Sequence, residues 1–297
     1  DAYVTDLVLG DGLVIGSLYA TNVSGGILDV SRNFAICKGG NGIGGGYLSL
    51  SDGIDVKIGD LTNRASFAIG INGGQQQTAS LLMGAGRFEA YVTNFWVGKD
   101  NSNGRERHFL FDAANVSTGI LDVSDSFAIG DSRNTPAGAA AITLGDNFTT
   151  TIGSPSQRAS MKVGTYLSYA VTMTAGGTFN AYLTNLVVGF TNSATATLDL
   201  AGVTNGILDV NGSILIGDGG MGIGELHLPA INALAETLHV GSPYTGSKGT
   251  LIMTGTVFTV TNSVIVDGPS VANKGRISLT VDGTPAGLDL GFAATLT

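Results

Sequence analysis

The chain has 297 residues, of which 46 are Gly, 6 Pro, 1 Cys and 1 Trp; 43% are hydrophobic, 12% charged, and the net charge is −9. Glycine without a three-residue period excludes collagen, a single cysteine excludes a disulfide scaffold, and the hydrophobic content argues against disorder. The acidic balance disfavours nucleic acid and anionic membranes, which need a basic footprint, and no apolar run reaches the roughly 18–20 residues of a membrane helix.

Asp occurs 19 times, but Glu only 4 and Lys only 6. Exposed helix faces are normally filled with Glu and Lys, whereas Asp prefers turns. The composition therefore predicts strands joined by tight turns and almost no helix. The sequence opens at Asp1 without a basic or apolar leader, which fits a mature secreted chain or an intracellular one equally. Composition and architecture together favour an extracellular or cell-surface location.

In chain order, AYVTDLVLG begins at Ala2, GILDV at Gly26, SRNFAIC ends at Cys37, KIG closes at Gly59 and RASFAIG ends at Gly70. The order then recurs with AYVTNFWVG at Ala90, GILDV at Gly119, SDSFAIG ending at Gly130, TIG at Gly153 and RASMKVG ending at Gly164. A third round has AYLTNLVVG at Ala181, GILDV at Gly206, NGSILIG ending at Gly217, HVG at Gly241 and a looser GTLIM near Leu251. Spacings are 88 and 91 residues for the AYVT block, and 93 and 87 for GILDV. A fourth round begins with FTVTNSVIVDG from Phe258 and reaches GLDL at Gly287 before the sequence given stops. The repeats run over about 1–88, 89–179 and 180–257, with a partial copy at 258–297.

Within each block apolar residues alternate, the strand signal. In ILDVSDSFAIG, Leu121, Val123, Phe127 and Ile129 are expected inside, and Asp122, Ser124, Ser126 and Ala128 outside. Sub-blocks recur at roughly 20–30 residues, the length of one β-helix coil. A propeller would need Trp-Asp signatures, and only Trp96 exists. A stacked sandwich gives no reason for a repeat to stop mid-copy. The expected fold is all-β: a single domain forming a right-handed parallel β-helix, or β-solenoid, of about 12 coils and about 55–60 Å. Gly closing each block supplies a left-handed turn. Cys37, in the place of Gly130 and Gly217, is expected as a small, semi-buried turn residue and not as a nucleophile.

His108, His227 and His239 do not recur between repeats, and His239, aligned with Lys57 and Thr151, reads as solvent-facing. Asp29, Asp122, Asp209 and Asp289 do recur, outward between inward neighbours. Three or four coils apart they stand about 14–20 Å from one another, beyond the roughly 5–9.5 Å of paired-carboxylate hydrolysis. A solvated or turn-bonding ladder is expected. GDG at Gly10, GGNGIGGG at Gly39 and GGMGIGE at Gly219 lack the tandem Asp of a calcium β-roll, so turns explain them, with an isolated Ca²⁺ at an acidic turn as the one cofactor left open. No phosphate-binding loop occurs. Arg105, Arg107 and His108, in the stretch from Lys99, read as a solvated loop specific to the second repeat. Four glycosylation triplets, at Asn22, Asn115, Asn147 and Asn211, are expected from a turn-rich composition. No catalytic, cofactor or metal residue is assigned.

The GILDV…FAIG and ITLG…TIG blocks resemble those of secreted bacterial β-solenoids: autotransporter passenger domains, large adhesins and solenoid surface fibres. The resemblance covers nearly the whole sequence and speaks for architecture; it transfers no functional residue. The favoured function is a non-enzymatic extracellular structural protein that assembles with itself, head to tail through its terminal coils, into a filament or surface fibre. The expectation draws on an unfinished repeat and on uncapped coils, whose edges template pairing. The alternative is a cell-surface adhesin or carbohydrate-binding passenger, with Tyr3, Tyr91 and Tyr182 as candidate aromatics and surface glycans as partners. A polysaccharide-degrading β-helix enzyme comes third. Nucleic acid and membrane insertion are not expected.

Overall fold

A computed structural model of the protein describes residues 1–11, 14–39, 44–71, 77–99, 107–131, 138–165, 170–190 and 195–268, together with the backbone of three later strands ending at Leu296. The first repeat holds β1 (Ala2–Asp11), β2 (Ile15–Ala20), β3 (Gly26–Lys38), β4 (Gly44–Leu50), β5 (Ile54–Ile58), β6 (Ala65–Ile71) and β7 (Gln77–Leu82). The second holds β8 (Arg87–Lys99), β9 (Arg107–Ala113), β10 (Thr118–Ile129), β11 (Gly138–Leu144), β12 (Phe148–Ile152) and β13 (Ala159–Val163), and leads into β14 (Ala170–Val188). Then follow β15 (Thr195–Ile216), β16 (Ile223–Leu228), β17 (Asn232–Val240), β18 (Lys248–Thr254) and β19 (Val257–Val266). The last strands are β20 (Arg276–Thr280), β21 (Gly287–Leu290) and β22 (Thr295–Leu296). No helix occurs among the described residues.

Every pairing is parallel, and together they make a β-solenoid. One line of stacked strands runs β1, β3, β5 with β6, β8, β10, β12 with β13, the second half of β14, the second half of β15, β17 and β19. The other runs β2, β4, β7, β9, β11, the first parts of β14 and β15, β16, β18 and β20. The long strands of the first line bend at a corner, where the register slips between Val123 and Ser126, Leu183 and Leu186, and Val210 and Ser213. Each coil thus has three straight segments around one interior.

The AYVT strand recurs at β1, β8, β14 and β19, with two intervening coils each time, so a repeat holds three coils. The expectation of about 12 coils is corrected downward. Ladder partners lie farther apart in sequence than assumed, as with Val56 and Phe88 or Phe88 and Gly119, because turns consume more residues per coil.

Alternation builds the core. Leu121, Val123, Phe127 and Ile129 are all 0% exposed, as expected for inward positions. One continuous inward column runs Phe34, Phe67, Phe95, Phe127, Met161, Leu186, Ile214, Leu238 and Val264. Its four phenylalanines stack nearly parallel, with centroids 4.9, 4.4 and 5.0 Å apart. That spacing follows the separation of neighbouring strands, about 4.8 Å. Ala128 departs from expectation: its position is outward, yet it is buried. Trp96, its neighbour in the ladder, lies on that outer face between Ala68 and Ala128 and donates its indole N–H to Ser126 Oγ at 3.2 Å.

In the third coil of the first two repeats the corner is replaced by a six-residue loop, Gly59 to Arg64 between β5 and β6 and Gly153 to Arg158 between β12 and β13. The third repeat lacks this loop, and β17 runs through the corner without a break. The alignment of HVG with KIG and TIG is therefore corrected. Gly241 donates to Ile216 O as Gly130 does to Val97 O, Gly164 to Ile129 O and Gly217 to Val188 O, so it closes the straight segment that ends in FAIG elsewhere. GTLIM likewise belongs to β18 in the second line of strands, not to the RASFAIG position.

Candidate functional site

The corner loops are the most organised polar feature of the surface. In the first, Asp60 Oδ1 accepts from Thr62 N, Thr62 Oγ1 and Asn63 N at 2.8, 2.7 and 2.7 Å. These donors hold its carboxyl down at about 2. In the second, Ser154 and Gln157 close the turn by reciprocal backbone hydrogen bonds of 2.8 and 3.2 Å. Each loop delivers an arginine that reaches over the following coil to the recurring aspartate of the coil after it.

Arg64 Nη1 donates to Val92 O at 3.3 Å, and to Asp122 O and Oδ1 at 3.1 and 2.8 Å. Arg158 repeats the arrangement on Leu183 O at 3.2 Å and on Asp209 O and Oδ1 at 2.8 and 3.0 Å, and adds Nη2 to Asp209 Oδ2 at 2.9 Å. Both pairs are mostly sheltered, with side-chain exposures of 23% and 23%, and of 18% and 17%. The recurring aspartates do point outward, between buried neighbours, as the alternation required. They are clamp acceptors more than a solvated ladder. Asp29 takes a looser partner, Lys57 Nζ at 3.6 Å, and the side chain of Asp289 lies outside the described residues.

The signal for the clamp is present in the sequence as the recurring RAS triplets at Arg64 and Arg158, which open the blocks ending at Gly70 and Gly164. Arg158→Ala is expected to cost about 1–3 kcal/mol, since a sheltered carboxylate loses its charged donors. Arg158→Lys should recover only part, because an ammonium cannot bridge a backbone carbonyl and both carboxylate oxygens. Thermal unfolding of the three proteins at neutral pH checks this.

The other candidates are scattered over the rod. Arg105 lies outside the described residues. Arg107 begins β9 and is fully buried, which corrects its reading as part of a solvated loop; His108 beside it is exposed. Cys37 is 1% exposed, not semi-buried, and adopts a left-handed φ of 58°. Burial pushes its thiol up to about 11, which leaves it protonated and unreactive at neutral pH. The turn Gly217 to Gly222 is closed by a Gly222 N to Gly219 O bond of 3.3 Å. Residues 40–43 of the other glycine-rich stretch lie outside the described set. The asparagines of the four glycosylation triplets are all exposed. Tyr3, Tyr91 and Tyr182 each neighbour a recurring Asp in the ladder, three coils from the next, and do not form one continuous strip.

His239 occupies neither the Lys57 nor the Thr151 position. It stands in the column of Leu215, Val187 and Lys162, and its Nδ1 lies 3.1 Å from Asp218 Oδ2. His227 lies between Asp199, 3.4 Å from Nδ1, and Glu225, 2.7 Å from Nε2. Among the described residues no group of three or more His, Cys, Asp or Glu side chains is placed to hold a metal ion. Concavities of about 480 and 470 Å³ lie beside His227 and beside the Arg158–Asp209 pair. A third, about 250 Å³, is apolar and lies at the first coil, lined by Leu18, Val23, Ile27, Leu28, Leu50 and Ile54 among others.

The first coil is the other distinctive surface. Of fourteen exposed large hydrophobic side chains among the described residues, eight fall between Tyr3 and Ile27. They include Tyr3 at 68%, Val14 at 63%, Ile15 at 60% and Tyr19 at 65%. Among the described residues β1 pairs with β3 and β2 with β4. No protein-family model, curated protein or solved structure matches the chain.

Proposed function

We propose that the chain is a non-enzymatic structural protein outside the cell, a subunit of a head-to-tail filament or surface fibre in which coil is laid upon coil. The observation that supports this reading is the concentration of exposed apolar side chains between Tyr3 and Ile27. A single exposed Leu or Val is ordinary, but a contiguous apolar patch marks an interaction surface. A coil presented to that face by a second copy makes a heterologous contact, and such contacts propagate into open filaments.

Light scattering over a concentration series tests the reading. The native chain is expected to grow in mass with concentration. An Ile15→Lys, Tyr19→Lys double variant should stay at the mass of one chain with unchanged strand content, because both side chains are already exposed in the monomer. Native protein that remains monomeric at high concentration would overturn the reading. The extracellular placement rests on the resemblance to secreted solenoids; protease treatment of intact producing cells should remove the protein.

A further inference from the structure

The ties between coils change chemistry along the rod. Among the described residues, the ion pairs whose cation lies in the first two repeats are Asp6–Arg32, Asp29–Lys57, Arg64–Asp122, Lys162–Asp131 and Arg158–Asp209 between coils, the last reaching into the third repeat, with Arg87–Glu89 within one strand. All their cations stay charged far above neutral pH. Among the described residues, every ion pair whose cation lies between residues 195 and 268 uses a histidine: His227 with Asp199 and Glu225, and His239 with Asp218.

The two kinds of tie share one geometry. Asp131 directly follows Gly130, and Lys162 stands two residues before Gly164 on the next coil, with the Nζ to Oδ2 distance 3.3 Å. Asp218 directly follows Gly217, and His239 stands two residues before Gly241 on the next coil. Lys162 and His239 also belong to the same ladder column. His239 is therefore Lys162 rewritten as a group that titrates near neutrality.

We propose that the coils around β15, β17 and β19 carry a pH-operated latch, closed when His239 is protonated against Asp218 and released as the imidazole loses its proton. The groups facing His239 fit this. Asp218 follows the end of β15 on one side, and Asp267 follows the end of β19 on the other. The direct ladder neighbours, Leu215 and Ile265, carry no charge, and Glu236 on its own strand is exposed. The hydrogen bond to Asp218 is the leading influence on the imidazole and raises its affinity for a proton, partial burial opposes it, and the charges of Asp218 and Asp267 add to the rise. A raised value in the folded state means that the latch contributes fully below about 6.5, the unfolded value, and fades as pH climbs through the folded one. Asp199, His227 and Glu225 sit on neighbouring coils and place a second histidine tie in the same third of the rod.

Hydrogen exchange of the whole chain between pH 5.5 and 8.5, corrected for intrinsic rates, tests the latch. Opening of β17 and β19 is expected to rise about twofold to fivefold toward high pH, the scale of one partly exposed ion pair, while β5–β13 stay level. His239→Lys should keep β17 protected at both ends of the range, because the permanent cation reproduces the Lys162 tie. His239→Gln should leave β17 equally open at both. A pH response that survives in both variants, or that affects the first two repeats alike, would overturn the proposal.

Discussion

Phe67→Ala is expected to destabilise the solenoid by about 3–5 kcal/mol, the usual range for deleting a fully buried ring. Phe67 is 0% exposed and lies between Phe34 and Phe95, with ring centroids 4.9 and 4.4 Å away. Two stacked neighbours add about 0.5–1.5 kcal/mol each beyond the area buried. The loss sits at the high end because the site cannot collapse: the coils on either side are held at the strand spacing by the hydrogen bonds of β3, β6 and β8. Repeat arrays often lack strict two-state unfolding, so the urea midpoint should be read together with hydrogen exchange in β5–β8. A loss below about 1 kcal/mol would mean that the column is not packed as described.

Gly153→Ala is expected to cost about 2–4 kcal/mol through a different route. Gly153 has φ 70°, and an added Cβ would stand 2.3 Å from Tyr182 O and 2.7 Å from Ala159 N. Both obstacles are backbone, so no side chain can swing away. Cys37 shows that the left-handed conformation alone is survivable, at about 1–2 kcal/mol; the remainder at Gly153 is steric. Gly220→Ala is the control, since an added methyl there meets nothing within 4 Å. Thermal unfolding of the three proteins at equal concentration separates the effects, and a near-neutral Gly153→Ala would contradict the corner-loop geometry.

The solenoid was legible in the sequence because its rules are local and repeated. Alternation at Leu121, Val123, Phe127 and Ile129 gives the inward face, and glycine after each segment gives the turn. The third repeat carries a deletion that its sequence blocks conceal. Without the corner loop, β17 fuses two segments, and HVG and GTLIM slide into the wrong blocks. The coil count was too high for a related reason, because turn lengths are set by what each corner accommodates and leave no periodic trace.

The Arg64 and Arg158 clamps were harder to see, since each arginine pairs 58 or 51 residues away, two coils on. Sequence proximity carries no hint of such a partner; only the ladder brings them together. The burial of Arg107 and Ala128 likewise depends on neighbours contributed by other coils. The histidines misled because they fail to recur as histidines, whereas the position of His239 does recur, as Lys162.

Electron microscopy of the purified chain at high concentration tests the proposed filament most directly. The account predicts unbranched rods much longer than one molecule, one coil wide, with an axial repeat of about 40–50 Å set by coils stacked at about 4.8 Å. Particles that stay a single molecule long under those conditions, or that pair end to end symmetrically and stop, would contradict it.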